Sequence, residues 1–453
     1  MKKILLFITG ACFLASCEDM VQVEPVASID AETAVVDSID ADRSALGVYS
    51  TLQGNNYYGL AYLLYQDVYA DNLQHSGTFT TDQEVSNRRI NPSNLQISNT
   101  WSAIYTAINR ANTLIQRIDG VKMLEVNKNR YKAEMRLLRA LCYFDLVKVF
   151  GGVPLALTPT IDVASIKNLP RSTEAQVYDQ IIADLLFAET TLGNSALPIA
   201  RRPNRASGYT ASALLSRVYL QRGDNANAES SANKVITANV YALQASFSTI
   251  FSNENTTESI LELDFSINDQ NGLANASNPL TGGQKFYLRA PFYTLMTTAT
   301  TNGDRRAQFS AGRNPGNTRN RNLKYFRLTS NDDNVPIIRY AEMFLTRAEA
   351  RARRGVAAFP AAPAIISDIN VIRTRAGLSA IILPLTNSEA LTEILAQRRI
   401  EFAFEGQRFP DLKRYGLAAS TLFPAAEAYR VLWPIPLTQI TASDKVLTQN
   451  PGY

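Results

Sequence analysis

Apolar residues recur at helical spacing along most of this chain. Ala45, Val48, Tyr49 and Leu52 fall at i, i+3, i+4 and i+7, and Trp101, Ile104, Tyr105, Ile108, Ala111 and Ile115 repeat the pattern. A longer helix is expected from about Asn129 to Phe150, where Gly151-Gly152 ends it and Pro154 blocks a restart. Ser172-Thr173 supplies a cap for a helix running to about Leu192. Ala211 to Arg222, a Gly223-Asp224 turn and Ala226 to Ile236 then read as a helix pair, with Ala228 and Ala232 as the small residues that close packing needs. A second pair is expected from Tyr340 to Gly355 and from about Ala361 to Ala376. These pairs have the form of tetratricopeptide units, so the fold class is mainly α, with little β.

Two stretches break the period. Residues 71–100 and 251–337 are rich in Asn, Thr, Ser and Gly, and the second holds one strand-like run, Ile260 to Phe265. Long irregular segments on a regular scaffold are where binding function concentrates. Their exposed candidates are Asn72, His75 and Phe79 in the first, and Tyr287 and Tyr293 in the second. The two tryptophans, Trp101 and Trp433, lie in apolar contexts and read as structural.

The first residues carry a separate signal. Lys2-Lys3 precede a short apolar core, Ile4 to Leu14, and small residues lead to Cys17. The core is too short to span a bilayer as a finished helix, so 1–16 reads as a cleaved leader. Small side chains before a cysteine have the form of a bacterial lipobox, which makes Cys17 a lipidated N-terminus. Residues 17–40 then form a polar tether, and 41–453 a single domain.

Composition closes off several chemistries. Lys+Arg total 45 against 41 Asp+Glu, a net charge of +4, and the basic residues read as spread along the chain, which gives nucleic-acid binding no support. Of three cysteines, Cys12 leaves with the leader and Cys17 carries lipid, so Cys142 has no disulfide partner and no Cys-ligated metal site is expected. One histidine, His75, cannot build a site needing two imidazoles. No cofactor is expected. The carboxylates and arginines of 398–414 resemble an acid–base cluster, but they interleave with Ile400, Phe402, Phe404 and Phe409. Charges drawn into a core must be paired, so this set reads as structural, with Glu405–Arg408 and Arg408–Asp411 as the local pairs helical spacing allows.

Four segments resemble the SusD/RagB family closely: Ala133 to Leu155, Arg339 to Ala350, Asn370 to Leu378, and Arg398 to Arg414. The ending, Trp433-Pro434-Ile435-Pro436 through Asn450-Pro451-Gly452-Tyr453, resembles it too. Gln397 stands where the family commonly has a glutamate, and Phe409-Pro410 where it has a bulky aromatic pair. The resemblance implies a lipid-anchored outer-membrane protein facing the cell exterior. Such a protein binds an oligosaccharide, or a peptide, and delivers it as a lid to a SusC-like TonB-dependent transporter without covalent chemistry. A surface hydrolase and a tetratricopeptide scaffold binding only protein are the alternatives from other classes.

Overall fold

The computed structural model describes residues 35–160, 167–193, 203–279, 283–314, 316, 319–355 and 363–453. The leader, Cys17 and the tether as far as residue 34 lie outside the described residues. In chain order the main elements are α1 (Ser38–Gln53), α2 (Ala61–Tyr69), β1 (Leu73–His75), α3 (Thr80–Ser86), α4 (Leu95–Arg117), α5 (Glu125–Phe150), α6 (Glu174–Leu192), α7 (Gly208–Arg222) and α8 (Asn225–Thr237). They continue with β2 (Ser259–Leu263), β3 (Phe286–Leu288), α9 (Ala290–Thr301), α10 (Arg305–Ser310), β4 (Ala311–Arg313), β5 (Asn320–Asn322) and β6 (Val335–Arg339). The last are α11 (Tyr340–Arg353), α12 (Pro363–Arg375), α13 (Asn387–Glu401) and α14 (Arg408–Arg414).

The helices stack in a row. α1 packs on α4, α4 on α5, α5 on α6, α6 on α7, α7 on α8, α8 on α11, and α11 on both α12 and α13. The mainly α reading of the sequence holds, and neighbour-to-neighbour packing is what a helix-repeat scaffold produces. The boundaries follow local chemistry. Thr173 caps α6 in a capping box, its side chain bonded to the Gln176 amide while Gln176 returns a bond to the Thr173 amide. Gly223 ends α7 in the left-handed conformation, φ 91°, and Asp224 caps α8.

The core is built by the predicted apolar faces. Ala45, Val48, Leu52, Ile104, Ile108 and Ala111 are buried, as are Trp101 and Trp433. Cys142 is fully buried among Leu141, Tyr143 and Phe144, and burial pushes its thiol pKa up, so it packs as a small hydrophobe. The strand-like run at 260 becomes β2, buried along its whole length and paired antiparallel with β6.

The region 251–337 holds more helix than its sequence indicates. α9 runs twelve residues, yet only Phe292 and Met296 are buried. Phe292, Leu295, Met296 and Ala299 do fall at i, i+3, i+4 and i+7 and face the core, but the pattern lasts only two turns and is set among threonines, whose β-branched side chains favour an extended or irregular reading. Among the described residues no helix is long and apolar enough to cross a membrane.

Candidate functional site

Two short strands bring the irregular stretches together. β1 and β3 pair antiparallel, with Leu73 opposite Leu288, Gln74 opposite Tyr287 and His75 opposite Phe286. The seam continues where the Ser76 amide donates to the Lys285 carbonyl at 2.7 Å and the Arg289 amide to the Asn72 carbonyl at 3.0 Å. The Arg289 side chain staples it further, donating from Nε to the Leu73 carbonyl at 2.8 Å and from Nη2 to the Ser86 carbonyl at 2.6 Å. Strand alternation sorts the side chains. Leu73, Leu288 and Phe286 are buried, while Gln74 and Tyr287 are half-buried on the other face.

The five candidate residues divide by burial. Phe79 is 61% exposed, at the start of α3, with the Lys285 ammonium 5.4 Å from its ring centroid. Tyr287 is half-exposed on β3. Tyr293, on α9, rests partly against the core, and the Arg313 guanidinium lies 5.1 Å from its ring. Asn72 is fully buried. Its Nδ2 donates to Asp67 at 2.7 Å and its Oδ1 accepts from Arg399 at 3.1 Å, and burial keeps the amide away from a surface ligand.

His75 is also enclosed, its side chain 1% exposed, with Nδ1 4.0 Å from the Asp82 carboxylate and its ring 5.7 Å from that of Phe286. Burial lowers its pKa, opposed by Asp82, so the ring is neutral at pH 7. Gly77 folds onto this ring, where an added Cβ would lie 2.9 Å from Nε2. His75 thus underpins the loop that carries Phe79. Sequence reading missed Lys285, Gln74 and Arg289, although the alternation in Gln284-Lys285-Phe286-Tyr287-Leu288 marks a strand with one outward face.

The arginine–carboxylate cluster pairs over long range. α13 ends at Glu401, and Phe404 (φ 66°) and Gly406 (φ 70°) turn the chain before α14, so helical spacing does not persist across 401–408. Arg408 therefore binds Asp71 at 2.7 Å, and Glu405 binds Arg339 at 2.8 Å and Lys324 at 2.8 Å. Asp411 takes Arg398 and Arg414. The expected Glu405–Arg408 pair is lost to that turn, and the expected Arg408–Asp411 pair, although both residues lie in α14, gives way to Asp71 for Arg408 and to Arg398 and Arg414 for Asp411. Gln397 compensates for the missing glutamate by accepting from Arg306 at 2.7 Å.

Burial tends to raise the Asp71 carboxyl, but Arg408 and Arg399 outweigh it and hold the pKa down. Burial pushes Asp67 up to about 6, resisted by bonds from Asn72 and from the amides of Phe404 and Gly406. These groups tie the first irregular stretch to the C-terminal signature. Among the described residues no three His, Cys, Asp or Glu side chains gather as metal ligands. An open groove of about 680 Å³ runs between α9 and α13, lined by Pro291, Thr294, Leu295, Leu395 and Arg399.

A helix-repeat scaffold that presents exposed aromatic and basic side chains from two inserted stretches defines a binding protein. Comparison with known proteins places it more narrowly. A family model described as "Starch-binding associating with outer membrane" matches residues 16–220, and one described as "SusD family" matches residues 267–429. The chain belongs to the SusD/RagB family, whose members are starch- and glycan-binding proteins associated with the outer membrane. SusD-like protein P2 of Formosa agariphila is 28% identical over an alignment that spans the whole of both chains. Among solved structures, a laminarin binding SusD-like protein is 25% identical with a TM-score of 0.79, covering 92% of this chain and 100% of that one. The surface glycan-binding protein A of Bacteroides thetaiotaomicron, in complex with laminarihexaose, shares the fold at 21% identity and TM-score 0.76, covering 92% and 100%.

Proposed function

We propose that this protein is a surface-exposed, lipid-anchored outer-membrane protein that captures an oligosaccharide and delivers it, as a lid, to a SusC-like TonB-dependent transporter. The observation that carries the reading is the β1–β3 seam, which joins the two irregular stretches and sets Phe79, Tyr287 and Lys285 around one exposed face. Phe79 supplies the ring on which a pyranose stacks, and Tyr287 and Tyr293 extend the platform. Phe79 is 61% exposed against 38% for Phe326, the other exposed phenylalanine among the described residues, so its ring is open to a ligand. The laminarin-binding relative supports a glycan as ligand. Catalysis is not part of the reading, because the carboxylates of the C-terminal signature are held by arginines.

Phe79→Ala tests it. Loss of the stacked ring is expected to weaken oligosaccharide binding roughly tenfold, about 1.4 kcal/mol, by calorimetry. The melting temperature should stay within about 1 °C, since an exposed surface substitution costs little. Unchanged affinity for every bound glycan would remove this face from the site. Binding of peptides instead of glycans would replace the ligand class.

A further inference from the structure

The ligand face is more cationic than the chain that carries it. Residues 283–322 hold seven lysines and arginines against one acid, Asp304. The whole chain is only +4, so the remainder is net negative. This corrects the expectation of an even spread. Asp304 and Arg306 are buried against each other at 2.6 Å and cancel, which leaves six cations in the segment and no further acid.

The cations are arranged by the small strands. β4 pairs antiparallel with β5, Gly312 opposite Arg321 and Arg313 opposite Asn320. This second sheet joins β3 through Gln284 Nε2 to the Asn320 carbonyl at 3.1 Å and Asn320 Nδ2 to the Leu288 carbonyl at 3.4 Å. Arg319 Nη1 lies 3.5 Å from the Gln284 carbonyl, which places it beside Lys285. Lys285, Arg313 and Arg319 are exposed. Among the described residues, Lys285, Arg319 and Arg321 reach no carboxylate in an ion pair; Arg319 and Arg321 bond only backbone carbonyls. Lys285 stands at the ring of Phe79 and Arg313 at the ring of Tyr293. Two of the rings, Phe79 and Tyr293, thus have a cation beside them.

Unpaired like charges repel and are kept together only at a cost, which an anionic ligand would remove. A ring with a cation beside it matches a sugar bearing an acid group: the C–H face on the ring, the anion on the cation. We propose that the ligand is an acidic oligosaccharide, carrying carboxylate or sulfate groups. This rests on the glycan reading above and narrows it.

The full chain is titrated calorimetrically with a uronate oligosaccharide, a sulfated oligosaccharide, neutral laminarihexaose and an acidic peptide, each at about 50 mM and 500 mM salt. At least one acidic sugar is expected to bind ten times more tightly than the neutral one at low salt. That preference should fall severalfold at high salt as the face is screened. The uronate and sulfate arms identify which group is recognised. The double variant Lys285→Ala/Arg319→Ala should lose about tenfold for the acidic sugar, so that the preference for acidic over neutral sugar disappears. The wild-type salt series decides the matter if that variant folds poorly. Salt-independent binding with the neutral sugar equal or tighter would overturn the acidic assignment and leave the glycan reading standing. Binding of the acidic peptide with no sugar bound would overturn both.

Discussion

Arg289 is expected to control ligand binding without touching the ligand. β1 and β3 are three residues each, and a two-stranded pair of that length has no independent stability. Arg289 bonds two carbonyls, of Leu73 and Ser86, on the stretch more than 200 residues away in sequence. Hydrogen bonds from a charged donor contribute about 1.5–3 kcal/mol each. Part of that is offset, because burial and the neighbouring Arg88 push the Arg289 pKa down to about 10, a sign of a cation held at a cost. Arg289→Ala should therefore cost about 2–4 kcal/mol in urea unfolding. The Ser76 amide, bonded to Lys285 across the seam, should exchange hydrogen markedly faster. Glycan affinity should fall by tenfold or more as Phe79 and Tyr287 lose their relative placement. Arg289→Lys keeps the charge but not the fork that reaches both carbonyls, so about half of the loss should remain. Wild-type exchange at Ser76 together with reduced affinity would refute this reasoning, because Arg289 would then act on the ligand directly.

Other expectations follow from the buried charges and the anchor. Glu401 is fully buried and accepts from Arg339 at 2.8 Å, Arg375 at 2.5 Å and Arg306 at 3.3 Å. Glu401→Gln keeps the volume but removes the charge, and should cost about 3–5 kcal/mol in urea unfolding with the ligand face unaltered; a loss below about 1 kcal/mol would show that the network does not depend on it. Asp67 has its pKa raised by burial from 3.8 to about 6, so the folded state holds its proton more tightly than the unfolded state. Its contribution is present below about pH 4 and lost as pH rises through about 6, so wild type should lose about 3 kcal/mol relative to Asp67→Asn between pH 4 and pH 7. A stability difference between the two that stays flat across that window would contradict the assigned burial effect. Cys17→Ala should release the protein from the membrane fraction and abolish uptake while leaving glycan affinity intact; uptake by the released protein would make the tether dispensable.

Which parts were legible in the sequence follows from the range of the interactions involved. The helices from α4 to α8, and α11, could be read because their apolar periods and caps are local: Thr173 and Gln176 are three residues apart, and Gly223 and Asp224 adjoin. α9 was missed because its apolar set, Phe292, Leu295, Met296 and Ala299, lasts only two turns and is set among threonines. The ion pairs were misassigned because Asp71 and Arg408 are 337 residues apart, and the turn at Phe404 and Gly406 breaks the spacing that local pairing assumes. The same principle governs the candidate site. Phe79 could be found as an aromatic in an irregular stretch. Asn72 and His75 lie in that stretch too, yet the core claims them, and only the pairing of β1 with β3 reveals which residues face outward. The charge of the face was hidden in the same way. A net +4 spread over 453 residues looks unremarkable until the fold leaves Lys285, Arg313 and Arg319 of one segment exposed and places Lys285 against a ring from the other stretch. The seam that joins the two stretches is therefore what makes a binding face out of residues that separately specify none.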